Sequence, residues 1–236
     1  MIEVADLHKS YGDVEVLRGL SLGIDEGEVV SIVGASGAGK TTLLQIVGTL
    51  NRPYRGRVIV DGVDVSKLGD RELSRFRNNK IGFVFQFHHL LPEFTAFENV
   101  CIPGYIGGRD RAEVEDHAKK LIDMLGMAHR TGHKPAEMSG GEQQRIAIAR
   151  AIINSPSVLL ADEPSGNLDS RNREEIHKLF FDLRDRLGLT IVIVIHDENL
   201  AAMADRRIVM SEGQLECLNE DKVPRDIRAA RKAPGQ

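Results

Sequence analysis

The chain is poor in aromatic and sulfur-containing residues. Aromatic residues make up 5% of its 236 residues, tryptophan is absent, and the only cysteines are Cys101 and Cys217. These two lie far apart and lack the spacing of a metal site, so we expect reduced thiols and no disulfide scaffold. No apolar run approaches the length of a membrane span, and residues 1–6 lack the basic start and apolar core of a signal peptide.

The remaining composition is that of an ordinary globular protein. Hydrophobic residues make up 42% and charged residues 28%, and the net charge of −4 gives no basis for bulk binding of nucleic acid. A chain of this length corresponds to one or two domains and buries roughly 70 to 75% of its unfolded surface, which is enough for a large core.

One glycine-rich segment has the spacing of a phosphate-binding loop. It reads Gly34-Ala35-Ser36-Gly37-Ala38-Gly39-Lys40-Thr41, and it lies between an apolar run at 29–33 and a helical pattern that begins at Thr42. Glycines let backbone amides turn toward phosphate oxygens, the helix start adds partial positive charge, and Lys40 adds a full one. The Thr41 hydroxyl is predicted to bind a magnesium ion.

Two acidic residues follow a second apolar run. Residues 158–161 read as a buried parallel strand, and Asp162 and Glu163 come directly after it. Open α/β sheets bind ligands at the carboxyl ends of their strands. We therefore predict that Asp162 lies in the outer sphere of the magnesium ion and that Glu163 faces the attacking water.

A histidine ends a third apolar run. Residues 189–195 read as a core strand that leads directly into His196 and Asp197. A lone histidine is usually structural. At the end of a core strand in a phosphate-binding sheet, however, His196 is predicted to donate to the γ-phosphate and to the water held by Glu163.

A second anion-binding device occurs at Ser139-Gly140-Gly141-Glu142. This segment fits a capping box at the start of a helix predicted over 142–153, with Ile146, Ala149 and Ile153 facing inward. The serine hydroxyl that accepts one hydrogen bond still has a proton to donate, and the glycines leave the helix start bare. The capping box and the anion site are compatible with each other, and the anion is then predicted to be the nucleotide of a second molecule.

These motifs, in this order, resemble those of the ATP-binding cassette (ABC) ATPases over nearly the whole chain. The resemblance implies an α/β fold of the P-loop NTPase type, with a RecA-like parallel sheet core, an antiparallel β subdomain and an inserted α-helical subdomain. It implies that two copies pair head to tail around two ATP molecules. For the nucleotide, the resemblance implies that Tyr11 stacks on adenine, that Gly34 to Thr42 form the Walker A loop, and that Gln86 is the Q-loop glutamine and a metal ligand. For hydrolysis, it implies that Glu163 is the catalytic glutamate and that His196 is the switch histidine. For the dimer, it implies that Ser139 to Glu142 act in trans and that Asp169 belongs to the D-loop.

Two departures from the general signature motif of the family leave its chemistry in place. Met138 replaces the leading leucine, and Glu142 replaces the final glutamine, while the serine and both glycines remain. The segment from Gln86 to Val100 closely resembles the lipoprotein-releasing ATPases of Gram-negative bacteria. Exporters of macrolides or peptides and a cell-division ATPase, which transmits ATP switching without cargo, share much of this sequence and remain alternatives.

The resemblance also implies partners and a location. Two membrane subunits are expected to dock near Phe87 to Phe97 and to handle the lipoprotein cargo, with the ATPase peripheral on the cytoplasmic face of the inner membrane. The predicted organisation is a catalytic core with its β subdomain over 1–86 and 157–220, a helical subdomain over 87–156, and a basic tail over 221–236. The tail is interpreted as loosely docked, with a contact to anionic lipid as the alternative.

Overall fold

The computed structural model describes residues 1–196 and 198–216. Asp197, Cys217 and the tail at 221–236 lie outside the described residues. The chain forms two compact units, one of residues 1–73 with the described residues from 192 onward, and one of residues 74–191. The predicted domain boundaries differ from this division and stay a prediction.

The described residues form both strands and helices. The strands are β1 (Ile2–Tyr11), β2 (Val14–Ile24), β3 (Val29–Val33), β4 (Arg55–Val60), β5 (Val63–Asp64), β6 (Ile81–Phe85), β7 (Val158–Asp162), β8 (Thr190–Val194), β9 (Arg206–Ser211) and β10 (Gln214–Glu216). The helices are α1 (Lys40–Val47), α2 (Asp70–Lys80), α3 (Ala96–Ile106), α4 (Arg111–Met124), α5 (Gly140–Ile152), α6 (Ser170–Leu187) and α7 (Glu198–Met203). Over the part of the chain just described, no helix combines the length and apolar character needed to cross a membrane.

The first unit contains the predicted antiparallel patch. Its sheet has the order β2-β1-β4-β5, and β1 pairs with both β2 and β4 in antiparallel register. Ile2, Val4 and Leu7 of β1 are fully buried, whereas Tyr11 at the end of the strand is exposed. The patch therefore presents Tyr11 at its rim.

The same unit contains a parallel strand pair that carries the glycine-rich loop. All five residues of β3 are buried, and β3 pairs in parallel with β9, with Val30 opposite Arg206. A run buried on both faces is typical of a parallel sheet covered by helices. Since α1 begins at Lys40, the loop joins the carboxyl end of β3 to the amino end of a helix.

In the second unit, a parallel pair brings two predicted site segments to one edge. β6 and β7 are parallel, and the register places Phe85 opposite Asp162. Gln86 and Glu163, the next residue of each strand, therefore leave the sheet at the same edge.

Besides the helix over 142–153, the apolar periodicity of the sequence predicts amphipathic helices over 111–125 and 170–187. All three are observed, as α5, α4 and α6. Helix α6 covers the predicted range and ends at Gly188, which adopts φ +66° as a left-handed cap. The predicted inward faces are buried, namely Val114, Ala118, Leu121, Ile122, Leu125, Ile146, Ala149, Ile153, Ile176, Leu179, Phe180 and Leu183.

The sequence spacing also predicts two ion pairs on α4, between Glu115 and Lys119 and between Asp116 and Lys120, and one of them differs. Asp116 pairs with Lys120 at 2.6 Å, as the i,i+4 spacing predicts. Glu115, which also lies four residues before a lysine, instead accepts from Arg111 Nε at 2.8 Å and from the Tyr105 hydroxyl at 3.1 Å. These contacts on the amino-terminal side of Glu115 direct its carboxylate away from Lys119.

A histidine in β1 makes the stability of the first unit depend on pH. His8 contacts Glu15 at 2.9 Å and Asp6 at 3.1 Å, and the hydrogen bond to Glu15 is the main reason why the pKa of His8 is raised. A raised pKa in the folded state stabilises the protein below the unfolded-state pKa, and this contribution is lost as the pH rises through the folded-state pKa.

We expect His8→Gln to lower the free energy of unfolding by about 0.5 kcal/mol at pH 5.5 and by less at pH 8.5, since the pair is partly exposed. Urea unfolding of both proteins at the two pH values measures this difference. An equal loss at both values contradicts the assignment to the protonated histidine.

Candidate nucleotide-binding site

The glycine-rich loop of the first unit is built for close approach of an anion. Gly34 has φ +154°, and a Cβ there would lie 2.0 Å from the carbonyl oxygen of Met210, so no other residue fits. Lys40 Nζ donates to the carbonyl oxygens of Gly34 at 2.8 Å and Ala35 at 2.9 Å. The lysine ammonium group is thereby held within the curve of the loop.

The start of α1 has neither a side-chain cap nor an acidic first turn. The cap residue Gly39 provides no side-chain hydrogen bond, and the first turn contains no acidic residue. Thr41 is exposed there, next to the exposed loop residues Ala35, Ser36 and Gly37, whereas Lys40 is buried. Backbone N–H groups at a helix start, a buried ammonium group and an exposed hydroxyl fit a phosphate with an associated cation.

Tyr11 is held by residues that sequence reasoning missed. Its ring is 48% exposed, and its hydroxyl accepts from Asn51 Nδ2 at 2.6 Å. Lys9 Nζ in turn donates to Asn51 Oδ1 at 2.9 Å and lies 5.1 Å from the centre of the Tyr11 ring. An exposed ring fixed at its hydroxyl is suited to stacking on a flat aromatic group.

Glu163 has an unusual backbone conformation immediately after β7. Its φ of +47° lies in the left-handed region, which glutamate rarely adopts, and its carbonyl accepts from Gly166 N at 3.1 Å. Such outliers concentrate at functional sites, where the surrounding structure enforces them. The turn directs Glu163 away from the strand that carries Asp162.

Two segments of the second unit that are predicted to form the Q-loop and the D-loop contact each other directly. Gln86 Nε2 donates to Asn167 Oδ1 at 3.2 Å. Asp169 caps α6 by accepting from Asn172 N at 3.0 Å, and this backbone hydrogen bond is the main cause of its lowered pKa. Gln86 thus contacts the residue two positions before Asp169, the cap of α6.

The predicted capping box at Ser139 is confirmed. Ser139 Oγ accepts from Glu142 N at 3.3 Å, and Glu142 Oε2 accepts from Ser139 N at 2.7 Å. Ser139 and Gly140 are exposed, whereas Gly141 is buried against Asn172, whose Oδ1 would lie 2.6 Å from a Cβ at this position. The start of α5 is therefore open at Ser139 and Gly140, whereas the Asn172 side chain covers Gly141, which was expected to be bare.

Arg130 is a further residue of this region that sequence reasoning missed. Its Nε donates to Glu142 Oε1 at 2.8 Å. The hydrogen bond from Ser139 N and the contact with Arg130 lower the pKa of Glu142 to about 2, with the former as the larger cause. Glu142 therefore remains negatively charged at any physiological pH.

His196 lies in the first unit. It is exposed and follows Ile195, whose N–H donates to the carbonyl of Ile32 in β3 at 3.1 Å. It thus comes directly after a buried strand adjacent to β3, as predicted from the apolar run that precedes it.

The segment from Phe87 to Phe97 is fixed from beneath by two polar residues that sequence reasoning missed. Arg150 of α5 donates to the carbonyl oxygens of His88 at 2.7 Å and His89 at 2.6 Å. Asn99 is fully buried and bonds to both the N–H and the carbonyl of Leu91, at 2.8 and 3.1 Å. These contacts hold an irregular segment in one shape.

Aromatic residues are exposed on the outer side of that segment. Phe87 is 66% exposed and Phe94 is 40% exposed. An open groove of about 410 Å³ lies in the same unit and includes Phe83, Phe85 and Ile106 in its lining. Exposed aromatic residues and a groove with aromatic lining are both typical of protein-binding surfaces.

The sequence and the fold are both similar to those of known ATP-binding cassettes. The lipoprotein-releasing system ATP-binding protein LolD of Bacteroides thetaiotaomicron is 57% identical over 91% of this chain and 99% of its own length. That of Geobacter metallireducens is 52% identical over 91% of this chain and 97% of its own length. A dimeric post-hydrolysis structure of the cassette MJ0796 bound to ADP and Pi superimposes with a TM-score of 0.84, at 40% identity over 92% of this chain and 97% of that chain.

The family model described as "ABC transporter" matches residues 17–166, which include the glycine-rich loop, the capping box at Ser139 and the turn at Glu163. The α/β fold predicted from the motifs is that of these cassettes. The chain therefore belongs to the ABC transporter family of ATPases.

Proposed function

We propose that the chain is the ATP-binding and ATP-hydrolysing subunit of a transporter that releases lipoproteins from the inner membrane toward the outer membrane. The observation that carries this proposal is the presence of two anion sites on one chain, the Lys40 loop and the open start of α5. The named function of the relatives that match over about 90% of the chain supports the cargo.

In this proposal, each chain binds one ATP at its own glycine-rich loop. Tyr11 stacks on adenine, and Gly34 to Thr42 bind the phosphates, with Lys40 turning from the loop carbonyls toward phosphate oxygens. Thr41, Gln86 and Asp162 offer the hydroxyl, amide and carboxylate oxygens that suit a magnesium ion. Magnesium, when bound, supplies positive charge for the β- and γ-phosphates.

Hydrolysis requires charge stabilisation and the positioning of one water molecule more than covalent chemistry. Glu163 is assigned to polarise that water, because its left-handed backbone turns it away from the strand that carries Asp162. His196 and Gln86 are assigned to the γ-phosphate. The water oxygen would bond to the γ-phosphorus as the bond from that phosphorus to the ADP oxygen breaks, a proton of the water would pass to the Glu163 carboxylate, and ADP and inorganic phosphate would be released.

The second anion site is assigned to the partner copy in a homodimer. The signature Ser139 to Glu142 of one copy would lie over the γ-phosphate held by the other, with the serine and glycines facing the phosphate and Glu142 capping their helix. Asp169 would lie at the same interface. The dimeric form of the similar cassette supports this arrangement. Closure on ATP and reopening after hydrolysis then drive the membrane subunits.

The surface from Phe87 to Phe97 is assigned to two integral membrane subunits, which place the ATPase peripherally on the cytoplasmic face of the inner membrane. The fixed backbone supports this assignment, because Arg150 and Asn99 hold the segment in a shape that a partner can recognise without an ordering cost. The exposed phenylalanines supply the apolar contact.

We expect the wild-type chain, purified from native membranes, to bring with it two membrane subunits and bound lipoprotein. Phe87→Ser with Phe94→Ser is expected to lower their recovery at least about tenfold, because two apolar anchors are lost. Tyr54→Ser is the matched control, since Tyr54 is a more exposed aromatic residue, at 84%, in the other unit. Recovery of a division-site partner, or of an exporter without lipoprotein, would contradict the proposed cargo.

A further inference from the structure

Glu142 places a negative charge at the start of α5, where the general signature motif of the family has an uncharged glutamine. Glu142 follows directly after the two glycines that the proposed function assigns to the partner's ATP. A carboxylate at this position favours the helix through the capping box and the helix dipole. The same carboxylate would repel a polyphosphate approaching the open helix start.

Three groups lie close to the carboxylate oxygens of Glu142. Oε2 accepts from Ser139 N at 2.7 Å, and Oε1 accepts from Arg130 Nε at 2.8 Å. His129 Nε2 lies 3.7 Å from Oε1, but this histidine is 63% exposed and carries charge only when protonated. Of these three groups, the guanidinium of Arg130 alone brings a permanent positive charge.

The Arg130–Glu142 pair is sheltered but not fully buried. The two side chains are 33% and 21% exposed, so water screens their charges only in part. Arg130 lies at the end of a short 3₁₀ turn (Ala128–Arg130), twelve residues before Glu142, and reaches α5 from the side. This position lets it neutralise Glu142 without covering Ser139 and Gly140, which remain exposed.

We infer that Arg130 is a positioning residue for ATP-driven dimer closure, because its charge cancels that of Glu142 and lets the partner's triphosphate approach the exposed Ser139 and Gly140. This inference rests on the proposed function of the signature in trans. It assigns Arg130 no contact with ATP.

The test measures ATP-dependent dimer formation by analytical ultracentrifugation, with every protein carrying Glu163→Gln so that ATP persists. Arg130→Gln is expected to weaken the dimer at least about tenfold, while ATP binding to the monomer is unchanged. Arg130→Lys, which keeps the charge but not the planar guanidinium, is expected to recover most of the loss. Arg111→Gln is the matched control, because Arg111 also pairs with a glutamate but lies 83% exposed on α4.

Two further measurements separate charge compensation from simple anchoring of the 3₁₀ turn. Raising NaCl from about 50 mM to about 500 mM is expected to shrink the Arg130→Gln defect, since salt screens repulsion. In a Glu142→Gln background, removal of Arg130 is expected to change dimer formation less than about twofold. A defect that persists in high salt and in the Glu142→Gln background, or no defect at all, overturns the inference.

Ser139→Arg tests the proposed function of the signature independently of Arg130. If Ser139→Arg leaves the ATP-dependent dimer intact, the signature does not act in trans, whatever Arg130 does. If Ser139→Arg abolishes the dimer and Arg130→Gln does not weaken it, only the inference about Arg130 is wrong.

Discussion

Replacing Glu163 with glutamine is expected to lower ATP turnover at least about 100-fold while ATP binding is retained. The amide keeps the size and shape of the side chain but cannot accept the proton of the attacking water. Because the loop at Gly34 and Lys40 lies elsewhere in the chain, affinity for ATP is expected to stay within about twofold. Phosphate release measures turnover, and fluorescence of a labelled ATP analogue measures binding.

A control protein with Glu26→Gln shows whether loss of any single carboxylate has this effect, since Glu26 lies exposed in the turn between β2 and β3. Its turnover is expected to match that of the wild type. Equal turnover in Glu163→Gln would remove Glu163 from the role of general base.

The second large effect is expected when two inactive variants are mixed. Lys40→Ala loses phosphate binding in its own chain, and Ser139→Arg blocks the start of α5 with a long charged side chain. If each site combines the loop of one copy with the signature of the other, the mixed dimer contains one site with both parts intact. Recovery of up to about a quarter of wild-type turnover is then expected, because half the dimers are mixed and each holds one intact site of two.

The double variant Lys40→Ala/Ser139→Arg provides the opposite control. Mixed with wild-type chain, it leaves no intact site in the mixed dimer, so turnover is expected to fall below the fraction of wild-type chain present. Turnover equal to that fraction, together with no recovery in the mixture of single variants, would indicate that each chain completes its own site.

The local sequence was sufficient to predict helices that have a regular apolar stripe and clear capping residues. Helix α6 has a buried stripe, Asp169 as its cap and Gly188 as its stop, and its predicted bounds agree with the structure. Helix α2 was not predicted, because Leu73 is its only buried residue and an almost wholly polar helix has no apolar stripe to detect.

The contacts that sequence could not predict join residues far apart in the chain. Asn51 and Tyr11 are 40 residues apart, and Gln86 and Asn167 are 81 apart. Arg150 reaches the Phe87 segment across about 60 residues. None of these pairs has a periodic signal, because the fold, and not local spacing, brings the side chains together.

The Arg130–Glu142 contact is an intermediate case. Replacement of the family's glutamine by Glu142 is visible in the sequence and signals an extra negative charge. The partner that neutralises this charge appears only when the turn before the signature is placed beside α5. The extra charge of Glu142 is therefore visible in the sequence, whereas its contact with Arg130 is visible only in the structure.

Transfer of a label between chains tests the central claim most directly. A photoreactive ATP analogue, with its reactive group on the γ-phosphate, is mixed with two copies that both carry Glu163→Gln, one of which also carries Lys40→Ala and a mass tag. Because the Lys40→Ala copy cannot hold ATP itself, the account predicts label on its peptide containing Ser139 to Glu142, delivered from the other copy's nucleotide. Label confined to the copy with intact Lys40 would contradict the claim that one chain's signature completes another chain's site.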